Sequence, residues 1–207
     1  HAALIELDGM DIATTRAMSR AILRLLEDER PREIVDFSAA FDRVLIEFRH
    51  GEETAALASK WTRRFSVLEP LEADASTLHE IPVVYDGEDL AELAARHDLD
   101  VGEVIARHTA PIYDVVLLGF SPGFPYLAGL DPRLVTPRRA SPRPKVPAGS
   151  VAIGGSHTGI YSIESPGGWH LLGTTPVRVF DPARREPGDE AMFLLKAGDR
   201  VKFHSVE

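Results

Sequence analysis

The sequence predicts an α+β N-terminal domain, residues 1–76, followed by a mainly-β barrel domain, residues 77–207. Three observations support this prediction. Strand and helix periodicities alternate over the first 65 residues, residues 70–76 are polar and aperiodic, and short β-branched runs separated by glycine and proline dominate from residue 119 onward. Such a barrel places rigid, specified loops at its rims.

The N-terminal domain is predicted to be a ferredoxin-like, split βαβ sandwich. Its elements follow from alternating strands, one hairpin and apolar positions at helical spacing. In chain order we expect a strand at 3–7, a helix at 14–28, strands at 34–37 and 44–48, a helix at 52–65 and a final extended strand at 81–85. Trp61 lies on the apolar face of the second helix and is therefore predicted to belong to the core.

The second domain is predicted to begin with two short helices and to continue as a nearly closed barrel of short strands. The helices span residues 88–97 and 100–109, and Asp100 is the expected N-cap of the second. The strand at 112–118 ends in a continuous apolar run, which indicates burial on both faces there. Further strands are expected at residues 150–153, 159–163, 170–172, 177–180, 192–195 and 200–205.

Composition and charge argue against several classes of function. The chain has no cysteine, which excludes disulfides, cysteine nucleophiles and cysteine-ligated zinc, and His157 and His170 do not have helical metal-ligand spacing. A net charge of −9 disfavours nucleic-acid binding. No apolar run reaches the roughly 18 residues of a membrane helix. We therefore expect a cytoplasmic protein with no metal site and no membrane or nucleic-acid partner.

Residues 119–123, Gly-Phe-Ser-Pro-Gly, match the G-x-S-x-G pattern of a hydrolase nucleophile elbow. In that elbow the residue after the serine donates its backbone N–H to the oxyanion hole and begins a helix. Here that residue is Pro122, which has no N–H, and the following Phe124-Pro125 blocks a helix. The segment therefore predicts a rigid turn that exposes Ser121 at a barrel rim.

Residues 154–159, Gly-Gly-Ser-His-Thr-Gly, allow two interpretations. Their backbone N–H groups, with the hydroxyls of Ser156 and Thr158, are suited to an anion-binding nest, and the same pattern suits a hairpin turn. His157 stands in this turn rather than in an apolar run. That position favours a functional imidazole over a core histidine.

A basic segment precedes this turn. Residues 133–145 contain five cations and no acid, and they are interrupted by prolines. The rigidity of proline indicates pre-positioned charges, so Arg139, Arg143 and Lys145 are candidates for binding a small anionic group. Glu164 is either a general base or the structural partner of Arg143 or Lys145.

Five motifs occur in an order that is typical of one family. They are Gly-Phe-Ser-Pro-Gly-Phe-Pro-Tyr-Leu at 119–127, Thr-Pro-Arg-Arg at 136–139, Val-Pro-Ala-Gly-Ser-Val at 146–151, Thr-Gly-Ile-Tyr at 158–161 and Glu-Ser-Pro-Gly-Gly-Trp at 164–169. With these motifs the chain resembles one family, whose members include allophanate hydrolase subunit 1, the B subunit of bacterial ATP-dependent 5-oxoprolinase and the sporulation-kinase inhibitor KipI. The resemblance implies a carboxyltransferase domain of the C and D type. Two positions depart from the family pattern, since His157 replaces a glutamine and Ser162 a proline. A histidine at that position is expected to make activity pH-sensitive or to alter substrate choice.

The resemblance implies a cyclophilin-like barrel and a homologous partner, the C subunit of the allophanate hydrolase subunit 2 or KipA type. It is also compatible with an A subunit as a third component. It implies the B subunit of an ATP-dependent 5-oxoprolinase-like complex, an enzyme component that opens a small cyclic amide and is inactive without its partner. The expected catalytic residues are His157, Glu164 and Ser121, and the expected substrate contacts are Tyr126, Arg139, Arg143, Lys145, Thr158 and Trp169.

Two alternative functions stay open at this point. One is KipI-like inhibition of a sensor histidine kinase, and the other is the carboxyltransferase component of a urea-carboxylase-like enzyme. ATP is expected to be bound by the complex. Biotin is expected on another polypeptide, because this chain has no Met-Lys-Met attachment motif.

Overall fold

The computed structural model describes residues 1–40, 42–49, 53–71, 76–185 and 189–207. Within these ranges the chain has a mixed α/β fold with four α-helices and a nearly closed, barrel-like sheet. It divides into two compact units, His1–Ala75 and Ser76–Glu207. None of the helices within the described ranges is long and apolar enough to cross a membrane.

The first unit is a three-stranded antiparallel sheet with two helices. Its elements are β1 (Ala2–Glu6), α1 (Ile12–Glu29), β2 (Ile34–Ala40), β3 (Arg43–Phe48) and α2 (Thr54–Phe65). The strand order is β1-β3-β2, and β2 and β3 form the predicted hairpin. The helix start predicted at residue 52 lies outside the described residues.

One face of this sheet forms the core of the first unit. In β3 the buried residues Val44, Ile46 and Phe48 alternate with exposed ones, as the two-residue period of a strand requires. Trp61 and Phe65 of α2 are 1% and 4% exposed and pack into the same cluster. Trp61 is therefore a core residue, as its position on an apolar helix face predicted.

The prediction that residues 81–85 complete this sheet was wrong. These residues fall at the end of β4 (Leu78–Val83) and just beyond it, and β4 pairs with a strand of the second unit. The described sheet of the first unit therefore lacks the fourth strand of a split βαβ sandwich, and the ferredoxin-like assignment is not confirmed.

The described part of the second unit contains two α-helices and eight further strands beside β4. In chain order they are α3 (Leu90–Arg96), α4 (Val101–Thr109), β5 (Tyr113–Leu118), β6 (Pro125–Ala128), β7 (Arg143–Val146), β8 (Ser150–Gly154), β9 (His157–Ile160), β10 (Ser165–Gly167), β11 (His170–Thr174) and β12 (Arg200–Ser205). The main sheet has the order β11-β8-β9-β6-β5-β12-β4. Strands β7 and β10 form a separate pair. Asp100 caps α4 in a capping box with Glu103, as predicted for the cap.

Two backbone hydrogen bonds bring the ends of the main sheet together. The amide of Val84, just after β4, donates to the carbonyl of Thr174 in β11 at 2.9 Å, and the amide of Thr174 donates back at 2.8 Å. The sheet therefore closes on itself almost completely. This supports the predicted barrel, while its cyclophilin-like assignment stays a prediction.

Three details of the predicted strands were wrong. Residues 177–180 and 192–195 are not strands, and only an isolated bridge joins Phe180 to Phe193. The apolar end of β5 is half-buried rather than buried on both faces. The short strands β6, β7 and β10 were not predicted.

The second unit has two apolar clusters. The larger fills the barrel with mostly aliphatic side chains, together with Tyr113 and Phe203, from most strands and from α3 and α4. The smaller is aromatic and contains Phe124, Tyr161 and Trp169, with Tyr126 packed against it. This aromatic cluster lies beneath the candidate site.

Candidate functional site

The second unit has an open cleft of about 300 Å³ on its aromatic cluster. We call it the aromatic cleft, and its lining residues are Phe120, Phe124, Tyr126, Arg138, Arg139, Pro142, Tyr161, Pro166, Gly167, Gly168 and Trp169. The volume is at the lower end of the range for small-molecule sites. The lining combines flat aromatic faces with two guanidinium groups.

Phe124 organises the aromatic side of the cleft. Its ring centroid lies 5.2 Å from that of Tyr126, 5.3 Å from Tyr161 and 5.3 Å from Trp169, all in edge-to-face arrangements. Aromatic pairs at these distances and angles are favourable beyond the apolar area they bury. The rings are therefore held in fixed relative orientations before any ligand arrives.

Glycines allow these rings to approach the strands. A Cβ added to Gly154 would lie 2.7 Å from three indole carbons of Trp169, and a Cβ added to Gly167 would overlap the hydroxyl of Tyr161. Any side chain at either position would displace a cleft ring. The Gly-rich motifs of the sequence are thus packing sites for the cleft.

Backbone and side-chain hydrogen bonds fix the segment that carries the two arginines. Thr136 forms an isolated bridge with Gly155, and the amide of Arg139 donates to the carbonyl of Gly168 at 2.8 Å. His170 donates from Nε2 to the carbonyl of Pro137 at 3.0 Å.

Because the Gly155 amide donates to the Thr136 carbonyl at 2.7 Å, this amide is not directed at an anion. Residues 154–157 form the turn of the β8–β9 hairpin. Of the two interpretations of the Gly-rich segment, an anion-binding nest or a hairpin turn, the structure has the hairpin turn.

Asp89 binds both of the arginines that were predicted to hold an anion. Its Oδ1 accepts from Nη1 of Arg139 at 2.9 Å and from Nη2 of Arg143 at 2.6 Å, and its Oδ2 accepts from the amide of Leu171 at 2.7 Å. Arg143 also pairs with Glu88 through its Nε. The Asp89 side chain is only 4% exposed, so this is a buried ion-pair cluster.

The environment of Asp89 favours its charged form. Burial by itself raises the pKa of this carboxyl group, but hydrogen bonds from Arg143 and the Leu171 amide, together with the charges of Arg143 and Arg139, outweigh it and lower the pKa below 3.8. Asp89 is therefore ionised at neutral pH. It neutralises charge that would otherwise be available to a ligand.

Arg138 differs from its neighbour Arg139. Its side chain is exposed, and its guanidinium carbon lies 5.7 Å from the ring centroid of Trp169, within cation–π distance. Within the described part of the chain it forms no ion pair with a carboxylate. Arg138 therefore places an unneutralised positive charge at the aromatic cleft, which the sequence did not distinguish from the other arginines.

His157 lies beside the cleft. Its ring centroid is 6.3 Å from that of Tyr126, and Ser156 Oγ lies 3.3 Å from its Nδ1. Partial burial lowers the pKa of His157 below 6.5, and the positive charge of Arg138 lowers it further. The imidazole is therefore neutral at neutral pH and is able to accept a proton.

Ser121, a predicted catalytic residue, does not line the aromatic cleft and instead lines a second pocket that shares Phe120 with it. Its Oγ is 3.2 Å from Oγ of Ser162. The preceding residue, Phe120, has a φ of 70°, an uncommon left-handed conformation for a bulky residue, and its side chain is 61% exposed. Instead of beginning a helix, residues 121–123 form a turn that enters β6, so the segment is not a nucleophile elbow.

Two other predicted groups lie away from the cleft lining. Glu164 and Lys145 form an exposed ion pair at 3.0 Å, which is one of the structural pairings considered for Glu164. Thr158 is fully buried, where its hydroxyl donates to the carbonyl of Ala152 at 3.0 Å and lies 2.8 Å from Nε2 of His108. The structure therefore does not bring Thr158 into the cleft.

His108 is the least exposed histidine near the site. Because the Thr158 hydroxyl donates to a carbonyl, it accepts from the imidazole, so Nε2 of His108 carries the proton. Nδ1 then accepts from the hydroxyl of Tyr85 at 2.7 Å. Burial lowers the pKa of His108 from 6.5 to about 3, which keeps the ring neutral.

The structure thus brings together part of the predicted set. Tyr126, Arg139 and Trp169 line the cleft, and His157 contacts it through Tyr126. Asp89 and His108 were not predicted as site residues, because they lie in or beside helices far from the motifs. Arg138 was not predicted as a site residue either, although it stands inside the Thr-Pro-Arg-Arg motif.

Comparison with known proteins identifies the family. The family model described as "Carboxyltransferase domain, subdomain C and D" matches residues 1–189. The chain belongs to this family. Its sequence is 40% identical over 210 residues to the B subunit of 5-oxoprolinase from Escherichia coli O157:H7, an alignment that covers 98% of this chain and 91% of that protein. The recognition made from the motifs is confirmed.

Solved structures agree with this membership of the carboxyltransferase domain family. The crystal structure of TTHA0988 is 38% identical with a TM-score of 0.80, covering all of this chain and 40% of that one. This chain therefore spans less than half of that protein. The urea carboxylase of Kluyveromyces lactis, at 22% identity and a TM-score of 0.78, shares the fold.

Proposed function

We propose that this chain is the B-type component of an ATP-dependent, 5-oxoprolinase-like complex that opens a small cyclic amide. The observation that carries the proposal is its nearly full-length similarity to the B subunit of a 5-oxoprolinase. The aromatic cleft supports it, because its volume and flat walls suit a small ring. In the overall reaction water adds across the amide C–N bond while ATP is hydrolysed to ADP and phosphate.

Within this proposal the residues of the chain bind and orient the substrate. The half-buried ring of Tyr126 provides a contact surface, whereas Trp169 is only 5% exposed and supports the wall from within, and Phe124 fixes the orientation of both rings. His157 is neutral at neutral pH and is positioned beside Tyr126, so we assign it the role of proton acceptor. Arg139, held by Asp89, forms part of the wall of the cleft.

We place ATP on the partner rather than in the aromatic cleft. The sequence has no G-x-x-x-x-G-K-[ST] loop for a triphosphate, and the cleft is near the lower size limit for a ligand site. A homologous protein of the C type is the proposed partner, and one of the A type is the proposed third component. In this arrangement the isolated chain binds substrate but does not turn it over.

The test is reconstitution. The chain is co-purified with its C-type and A-type partners, and ATP-dependent conversion of 5-oxoproline to glutamate is measured against each component alone. Within the active complex, His157→Ala is expected to lower kcat by about a hundredfold, as removal of a general base does. His204→Ala is the control, because this histidine is exposed on β12. Absence of turnover by the full complex would refute the proposed function, and equal activity of the two variants would refute the role of His157.

A second candidate is carboxyl transfer, which the description of the family favours. In that case biotin is carried by another chain, and the cleft receives a carboxyl acceptor. The two functions are separated by the products. Transfer of labelled carboxylate from carboxybiotin to urea, without cleavage of 5-oxoproline, would favour the second.

A further inference from the structure

In the part of the chain that the structure describes, the cationic side chains at and beside the aromatic cleft pair with carboxylates, with one exception. Arg139 and Arg143 share the carboxylate of Asp89, and Lys145 pairs with Glu164. Among the described residues that line the cleft only Arg138 and Arg139 are charged, and none is acidic. Arg138 therefore carries the only cleft-lining charge that has no carboxylate partner in the described structure.

The position of Arg138 leaves its guanidinium open to a ligand, although it also lies over the ring of Trp169. Its side chain is exposed and its guanidinium lies 5.7 Å from the ring centroid of Trp169. A ligand that occupies the aromatic cleft is thus within reach of this guanidinium, which lines it. Because a guanidinium offers paired N–H donors, its best partner is a planar carboxylate.

We propose that Arg138 is the specificity-determining residue of the aromatic cleft and selects a small ring compound with a single carboxylate. The proposal deepens the proposed function and rests on it for the identity of the ring, since 5-oxoproline is a five-membered cyclic amide with one carboxylate. A neutral lactam leaves Arg138 unpaired. A second carboxylate on the ligand has no cation to meet, because Arg139 is already bound to Asp89.

The first test compares two ligands of the same ring. Isothermal titration calorimetry on the full chain measures 5-oxoproline against 2-pyrrolidinone, which has the lactam ring but no carboxylate. We expect the acid to bind on the order of tenfold more tightly, the effect of one charge-assisted hydrogen-bonded pair in a partly exposed site. Arg138→Gln is expected to abolish this preference, and Arg138→Lys to retain part of it.

Arg133→Gln is the matched control, because this arginine lies in the same basic segment but not in the cleft lining. It should leave the preference for the acid unchanged. Equal binding of acid and lactam by the wild-type chain, an equal effect of the two Gln variants, or no binding of either ligand at millimolar concentration would overturn the proposal. A third outcome separates the two proposals. If the chain still selects ring carboxylates through Arg138 but the complex shows no ATP-dependent cleavage, only the proposed function is refuted.

A second measurement is independent of affinity. Burial is the larger cause that lowers the pKa of His157, and the positive charge of Arg138 lowers it further, while the Tyr126 ring packs beside the imidazole. NMR titration of His157 should therefore show a higher pKa in Arg138→Gln and also in the wild-type chain saturated with 5-oxoproline, because the bound carboxylate neutralises Arg138. A ligand that leaves the His157 titration unmoved would contradict binding at Arg138.

Discussion

Burial of a neutral His108 predicts that the second unit loses stability in mild acid. The ring is fully buried, donates to Thr158, accepts from Tyr85 and stacks on Phe203 with centroids 4.8 Å apart. A second proton on Nδ1 would have to be buried without solvation, and the Tyr85 hydroxyl would have to turn its own proton away. In the unfolded chain the same ring is free to protonate.

The magnitude follows from the two pKa values of His108. With a pKa of 6.5 when unfolded and about 3 when folded, the unfolded chain binds more protons as the pH falls, so stability decreases with acidity. Between about pH 7.5 and about pH 5 the linkage relation gives a loss of about 2 kcal/mol from this one group. Because pH 5 lies well above the folded value, the figure depends almost entirely on the unfolded pKa.

Urea unfolding at the two pH values measures this loss, and Trp169 fluorescence in a Trp61→Phe background reports on the second unit alone. His108→Gln is able to keep hydrogen bonds to Tyr85 and Thr158, and it should reduce the pH-dependent loss by about 2 kcal/mol relative to the wild type. His204→Gln is the control for removal of an exposed histidine. A pH-dependent loss equal in wild type and His108→Gln would refute the reasoning.

Three further perturbations test the packing around the cleft. Asp89→Ala leaves two guanidiniums without their shared carboxylate and should cost about 3–5 kcal/mol of unfolding free energy by urea titration. In the wild type the stabilisation by Asp89 is lost only as the pH falls below 3.8 towards its lowered folded pKa, which separates it from the effect at pH 5. Gly154→Ala should displace the indole of Trp169, lower the unfolding free energy by about 1–3 kcal/mol and shift the tryptophan emission. Gly119→Ala is the control and should have none of these effects, because a Cβ there meets only ordinary contacts at 3.7 Å or more. Lys145→Ala removes an exposed ion pair and should change stability by less than about 1 kcal/mol; a larger loss in thermal unfolding would mean that the Glu164 pair is more than a surface contact.

The elements that the sequence predicted well are those whose signals are local. Strand β12 occurs at the predicted residues 200–205, and the cap of α4 at Asp100 was correct. The strands that were missed, β6, β7 and β10, each contain a proline, at positions 125, 144 and 166. Proline is typical of turns, and only pairing with distant strands identifies these segments as part of a sheet.

The candidate site was predictable in its motifs but not in its pairings. Arg138 and Arg139 are adjacent and chemically identical, and only the fold turns one towards Asp89 and leaves the other at the cleft. Asp89 lies 50 residues before Arg139, so no local pattern joins them. Thr158 belongs to a family motif, and its burial against His108 becomes visible only once α4 is placed.

The parallel pairing of β4 with β12 has a consequence for synthesis of the chain. His79 and Asp199, whose side chains meet at 3.1 Å, are 120 residues apart. A ribosome therefore releases the first barrel strand long before its neighbour exists, and until then β4 presents an open edge to other chains. Ribosome-bound fragments that end before residue 200 are expected to recruit chaperones or to associate, whereas fragments that include β12 can close.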